Sequence, residues 1–405
     1  IAENKDEPFF VYLPYNTPHS PMQVPDEFWD RFKDKELTMR HRDPEKEDDL
    51  HLRCALAMCE NIDWNVGRLL GKLDELEVAE NTIVIYFCDN GPNGSRWNGG
   101  MKGKKGSTDE GGVRSPMLIR WPNGIEAGTK VETLGSVLDL LPTLAEMAGV
   151  EHAGEKPLDG VSLASVLMKD GAGASEALQN RMVFNGWRDK FSVRTPQWRL
   201  SHDKQLFDMQ ADPGQDANVA KLNQDVYNRL NAECLSWKDA MIEELGEDTR
   251  PFVIAHPGHA FTQVPARDGI PHGNVERSNK FPNDSFFANW ISTDDKITWT
   301  AEVAESGKFQ VELFYTCAEE NVGSTLELSF KGNSLTGKVE TATDTELLGA
   351  SDDRSPRGES YTQEWQRMML GEIELEKGAG ELTLRATEIP GEEVMSFRLL
   401  LLKRL

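Results

Sequence analysis

The chain has 405 residues, with 44 Lys and Arg against 68 Asp and Glu and a formal charge of −24. That acidity excludes a general nucleic-acid binder, which needs a basic face to displace counterions, and a polybasic membrane-surface protein. Hydrophobic residues make up 38% of the chain, enough for real cores and too many for wholesale disorder, and no apolar run reaches the roughly 18 residues of a membrane span.

Taken in order, residues 8–14 form a continuous apolar run, which predicts a short strand, and a loop rich in Pro, Asn, Ser and Thr follows over 15–25. Residues 26–48 are mostly charged and are assigned to the surface. From 50 to 76, Ala55, Met58, Ile62, Val66, Leu69, Leu70 and Leu73 recur at helical steps. Residues 83–88, continuous and β-branched, predict a parallel strand covered on both faces. A Gly-rich loop over 89–112 leads to a strand at 117–121, and 137–148 reads as a helix with Gly149 as its C-terminal cap. This rhythm is that of an α/β layer fold. Residues 151–248 predict a small α+β piece: short antiparallel strands within 181–207, closed by a helix over about 224–244. Residues 249–273, with many Pro, Gly and His, are read as a linker. The alternating strands that follow, over 274–405, predict a β-sandwich.

The chain starts at Ile1 a few residues before a core-type strand, with no initiator Met and no signal-peptide pattern. It therefore reads as a fragment whose upstream part is missing. Five cysteines, an odd number without a CxxC pair, indicate neither a disulfide scaffold nor a zinc site.

Three groups of residues carry chemistry. Asp89 and Asn90 lie immediately after the strand 83–88, at the strand end where ligands of α/β sheets collect, and offer oxygen ligands for a hard divalent cation. Taken alone, Asp-Asn-Gly is more often a simple turn. Arg96, Lys102, Lys104, Lys105 and Arg114 cluster within a Gly-rich loop of an acidic chain, an arrangement suited to an anion such as sulfate or phosphate, although charge runs are usually solvated. His19, between prolines, is a candidate proton donor; a lone loop His is more often incidental. Together, oxygen ligands, cations and an acid suit cleavage of an anionic ester.

The segments FFVYLPYNTPHSPMQVP, IDWNVGRLLGKLDELEVAENTIVIYFCDNGP, KGSTDEGGVRSPMLIRWP, SVLDLLPTLAEMAGV and QLFDMQADPGQDANVA, in this order over 1–245, resemble the formylglycine-dependent type I sulfatases (arylsulfatases) of the alkaline-phosphatase superfamily. The resemblance implies an alkaline-phosphatase-like α/β/α sandwich whose C-terminal half is residues 1–150, with 151–248 as the family's C-terminal subdomain. It implies hydrolysis of a sulfate ester on a carbohydrate or small molecule by a periplasmic or secreted enzyme. Asp89 and Asn90 would bind Ca²⁺ or Mg²⁺, Lys105 would contact the sulfate and its bridging oxygen, and His19 would protonate the departing alcohol. Lys102, Lys104 and Arg114 are further candidates for the substrate, with Glu110 and Arg114 also read as a pair bracing the loop.

The family nucleophile, in C/S-x-P-x-R, has no counterpart here. Formylglycine, the upstream Asp pair of the metal site and the need for maturation machinery are assigned to a missing N-terminal segment, so the chain is expected to be catalytically incomplete. Two alternatives stand beside this reading: a phosphoesterase of the same superfamily, and a non-catalytic glycan-binding fragment. Residues 274–405 loosely resemble galactose-binding-like carbohydrate modules; Trp290, Trp299, Tyr315, Tyr361 and Trp365 could stack on sugars, but core is the favoured assignment for each.

Overall fold

The structure, a computed structural model, describes residues 1–151, 153–343 and 345–405. The chain divides into two compact units, Ile1–His19 with Val24–Gly246, and Ser20–Gln23 with Glu247–Leu405. The fold is α/β with a β-rich C-terminal part.

In the first unit a short helix α1 (Asp26–Trp29) precedes the long helix α2 (Asp49–Glu75). The side chain of Asp48 caps α2 by accepting the His51 amide at 3.0 Å. The face of α2 carrying Cys54, Ala55, Ala57, Met58, Ile62 and Leu73 is buried, as the helical spacing predicts. Strand β1 (Val84–Phe87) pairs with β2 (Met117–Arg120), and the loop between them contains one helical turn, α3 (Glu110–Val113). A 3₁₀ turn leads into α4 (Leu140–Ala148), which ends at Gly149 in the left-handed conformation, φ 66°. Two short helices, α5 (Ala164–Leu167) and α6 (Glu176–Gln179), precede an antiparallel meander: β3 (Val183–Trp187), β4 (Lys190–Arg194), β5 (Trp198–Leu200) and β6 (Leu206–Asp208). Helix α7 (Gln224–Leu245) packs Leu230 and Cys234 against Val193, Leu200 and Leu206 of that sheet.

Two expectations are corrected here. Residues 8–14 form no strand, and Phe10 and Tyr12 are 85% and 72% exposed. Strand β1 is not parallel and not covered on both faces: it runs antiparallel to β2, from Val84 opposite Arg120 to Phe87 opposite Met117, and Phe87, Met117 and Leu118 are exposed. An apolar run shows that a segment gains by cover; a strand also needs a hydrogen-bonded neighbour, and local sequence does not specify which one.

The second unit is a sandwich of two six-stranded sheets. Its strands are β7 (Phe252–Ile254), β8 (Phe261–Pro265), β9 (Ile270–His272), β10 (Glu276–Arg277), β11 (Phe287–Ala288), β12 (Lys296–Val303), β13 (Gly307–Thr316), β14 (Thr325–Phe330), β15 (Asn333–Lys338), β16 (Leu347–Leu348), β17 (Thr362–Gln363), β18 (Gln366–Leu375), β19 (Gly378–Glu388) and β20 (Ser396–Arg404). One sheet has the order β10-β11-β20-β13-β18 with β8 also on β20; the other is β15-β14-β19-β12-β7 with β9 also on β12; β16 and β17 pair separately. The reading of 249–273 as a linker is therefore corrected. Its Pro and Gly residues flank three strands: β7 and β9 pair with β12, and β8 with β20. One apolar core draws on both sheets, with Val311, Leu313 and Phe397 from the first and Trp299, Leu382 and Leu384 from the second. Trp299 meets Phe397 edge to face at 6.0 Å. Trp290, Trp299 and Tyr315 are buried in this core, so none of the three offers a face to a sugar.

Candidate active site

The turn after β1 and the loop before β2 are joined by backbone hydrogen bonds. Gly91 N–H donates to Gly112 O at 2.9 Å, and Lys105 N–H donates to Pro92 O at 3.0 Å. Ser115 Oγ donates to Cys88 O at 2.6 Å. Glycine is required at 91 by space: a Cβ there would lie 1.9 Å from Gly111 O. These bonds hold the turn that carries Asp89 and Asn90 against the loop that carries Lys105, 15 or more positions away in sequence.

The loop is in turn anchored on the meander sheet. Ser192 Oγ and Arg199 both donate to Thr108 O at 2.8 Å. The Glu110 carboxylate, almost fully buried, lies 2.7 Å from Arg199 and 3.3 Å from Arg194. Burial opposes its charge, but the guanidiniums of Arg199 and Arg194 outweigh burial and hold the carboxyl below its ordinary range. Arg114 is the outer partner, 3.5 Å away and 64% exposed. The expected Glu110–Arg114 brace thus exists, but the buried cation that fixes Glu110 is Arg199. Sequence reasoning missed Arg199 and Arg194; the only available signal was two Arg residues on predicted strands of a half-buried sheet.

The three lysines of the loop differ in their surroundings. Lys102 is directed inward: its Nζ is 3.9 Å from both Asp109 and Asp203, and 5.1 Å from the centre of the Phe207 ring. Lys104 and Lys105 are exposed. Lys104 borders a cavity of about 240 Å³ that Lys46, Asp48, His51, Asn93 and Arg96 also line. Arg96 donates to His51 Nδ1 at 2.9 Å and to Asn93 O at 2.8 Å. Burial, and then the Arg96 charge, lower the His51 pKa, and an Nδ1 that accepts from Arg96 places the proton of the neutral ring on Nε2. His19 is exposed, and its backbone N–H donates to Asn16 O at 2.9 Å. The hydrogen bonds that join the turn to the loop do not involve it.

Asp89 is exposed and Asn90 half-buried. Asn90 Nδ2 donates to Gly91 O at 2.8 Å, which leaves Oδ1 as its ligand atom. A carboxylate and an amide oxygen have the right chemistry for a hard cation, but they are two of the six to eight oxygens that Ca²⁺ takes. Among the described residues no group of three His, Cys, Asp or Glu could complete a site. For formylglycine the chain offers no residue that fits. Cys54, Cys234 and Cys317 are buried, Cys59 lies on α2 and Cys88 ends the run through β1, and none is in the required motif.

Comparison with known proteins gives the same family. The Sulfatase family profile matches residues 1–150, and that for "N-sulphoglucosamine sulphohydrolase, C-terminal" matches 104–239. Mouse steryl-sulfatase is 41% identical over 121 residues, 27% of this chain and 19% of that protein. Mouse N-acetylgalactosamine-6-sulfatase is 30% identical over 171 residues, 41% of this chain and 29% of that protein. Human arylsulfatase A is 33% identical over 207 residues, 49% and 36%. The chain thus spans little more than a third, at most, of these relatives' lengths. The matched segments contain the turn, the Lys105 loop and the sheet that anchors it, and over residues 1–239 the chain is similar to the sulfatase family.

Proposed function

We propose that the first unit is part of a sulfuric ester hydrolase acting on a sulfated carbohydrate. The observation that carries this reading is the backbone join between Lys105 and Pro92, which holds the loop of the exposed Lys105 against the turn that carries Asp89 and Asn90. Sulfatases generally use a formylglycine nucleophile and a divalent metal. Asp89 and Asn90 would hold the metal, Ca²⁺ in our reading, which when bound supplies positive charge at the sulfate oxygens. Lys105 binds the sulfate group and neutralises charge that builds on the bridging oxygen as the ester bond breaks. His19 is the donor that protonates the departing alcohol. Glu110, Arg199 and Thr108 O keep the loop in place, so that the Lys105 backbone is set before substrate arrives.

A carbohydrate substrate is supported by the name of one relative, N-acetylgalactosamine-6-sulfatase, and by the cavity beside Lys104. Lys46, Arg96 and Lys104 against Asp48 favour an anionic glycan over a neutral aglycone.

The test is release of inorganic sulfate from sulfated monosaccharides by the whole protein carrying this chain, with phosphate monoesters of the same sugars assayed alongside. Sulfate release that exceeds phosphate release supports the reading. A preference for the phosphate esters would replace it with the phosphoesterase alternative, and absence of both activities would leave glycan binding.

A further inference from the structure

His19 is the last residue before a boundary in the chain. Ser20–Gln23, which follow it directly, belong to the β-rich second unit. What holds them there is the segment 349–361, which connects β16 to β17. Ser20 Oγ donates to Glu359 Oε2 at 2.9 Å. Gln23 Nε2 donates to Gly349 O at 2.8 Å and to Asp353 Oδ1 at 2.9 Å. The Arg354 backbone N–H donates to Met22 O at 2.9 Å, and Met22 is buried.

The segment that makes these bonds is itself fixed. Arg357 donates through Nε and Nη2 to the two oxygens of Asp353, both at 2.6 Å, and the two side chains are 6% and 4% exposed. Such a bidentate pair fixes direction as well as distance. The Arg357 guanidinium also lies 4.1 Å from the centre of the Tyr361 ring. The hydroxyls of Ser360 and Ser278 are 2.8 Å apart, which ties the segment to the end of β10. Asp353 is therefore held by Arg357 on one side and holds Gln23 on the other. On the other side of Ser20 the backbone is stiff as well, because Pro21 has a fixed φ and restricts the residue before it. The anchor thus reaches His19 through few soft torsions.

We propose that segment 349–361 is a positioning element for His19, so that the β-rich unit, through Ser20–Gln23, sets the proton donor of the hydrolase. Gln23 is then a positioning residue that acts through His19. The proposal rests on the sulfatase reading, in which His19 protonates the departing alcohol. Its physical basis is that a general acid must lie within hydrogen-bond reach of the oxygen it protonates, and that a misplacement of about 1 Å can cost roughly 100-fold in rate.

The experiment measures sulfate release from the sulfated monosaccharide that the whole protein carrying this chain hydrolyses fastest. Gln23→Met keeps the length of the side chain and removes its donors. It should lower kcat by about tenfold and change KM by less than about twofold. Ser20→Ala, which removes only the bond to Glu359, should lower kcat by about threefold. His19→Ala supplies the reference. If Gln23 acts through His19, the double variant His19→Ala with Gln23→Met should fall within about twofold of His19→Ala alone, and the same holds for Ser20→Ala. Losses that multiply in the double variants would assign the clasp to stability and overturn the proposal. Parental kcat in both Gln23→Met and Ser20→Ala would overturn it too, while leaving the sulfatase reading in place. No sulfate release by the parent, or a fully active His19→Ala variant, would instead remove the reading on which the proposal rests, and the proposal with it.

Discussion

Glu110 and Arg199 form a buried ion pair, 2.7 Å apart with side chains 5% and 2% exposed, across 89 residues of sequence. The pair connects the loop that carries Lys105 to strand β5. Arg199 also holds Thr108 O, so one guanidinium fixes both the acidic residue and the backbone before it.

Removing one partner of such a pair leaves the other charged and desolvated. Glu110→Gln is therefore expected to destabilise the first unit by about 3–5 kcal/mol, read from urea unfolding. The pH dependence follows from the direction of the shift. The folded carboxyl titrates below the ordinary carboxylate range, so its contribution is complete above that range and is lost as pH falls through the lower folded pKa. The Gln variant should lack this part of the acid-induced loss. An unchanged acid limb in the variant would assign the effect to other carboxylates.

Gly91→Ala tests the join between turn and loop. The new Cβ would fall 1.9 Å from Gly111 O and 3.2 Å from Gly112 Cα, so one backbone segment must move. The expected cost is about 2–3 kcal/mol or more, with loss of sulfate release in the active protein. Gly94→Ala, whose Cβ has open space but whose φ is +84°, serves as the control for backbone strain alone. Equal effects of the two substitutions would show that contact with Gly111 is not what requires glycine.

Lys105→Ala should lower kcat/KM for sulfate release by at least about 100-fold in the active protein, the scale of losing one charge-stabilising donor. Lys102→Ala should act through stability instead, since its ammonium faces Asp109, Asp203 and Phe207. If Lys104→Ala proved far more damaging than Lys105→Ala, the assignment of roles along the loop would have to shift by one residue.

Asp89→Ala should reduce bound divalent metal, measured by elemental analysis after dialysis, and abolish sulfate release, because it removes an anionic ligand from a hard cation. Asn90→Ala should have a smaller effect on metal content, as it removes a neutral oxygen. Full metal content with Asp89→Ala would exclude that carboxylate from the site.

Much of this protein was determined locally. Spacing along 50–76 specified helix α2 and its buried face, because residues three and four apart share one side of a helix. Alternation specified β12, β13, β14 and β19, because every second residue of a strand meets the core. The order of motifs around Asp89, Lys105 and Arg114 carried the resemblance to the sulfatases. What the sequence could not determine were partners. It offered Arg114, four residues from Glu110, as a partner bracing the loop; the fold left Arg114 exposed and brought Arg199 from a distant strand as the buried counter-charge. It presented 83–88 as a parallel strand, and β2 met it antiparallel. It presented 249–273 as a linker, and β12 and β20 recruited three strands from it. The reason is the same in each case. Periodicity records which face of a segment leaves water, whereas desolvation of a charge and pairing of a strand edge depend on which remote segment arrives there.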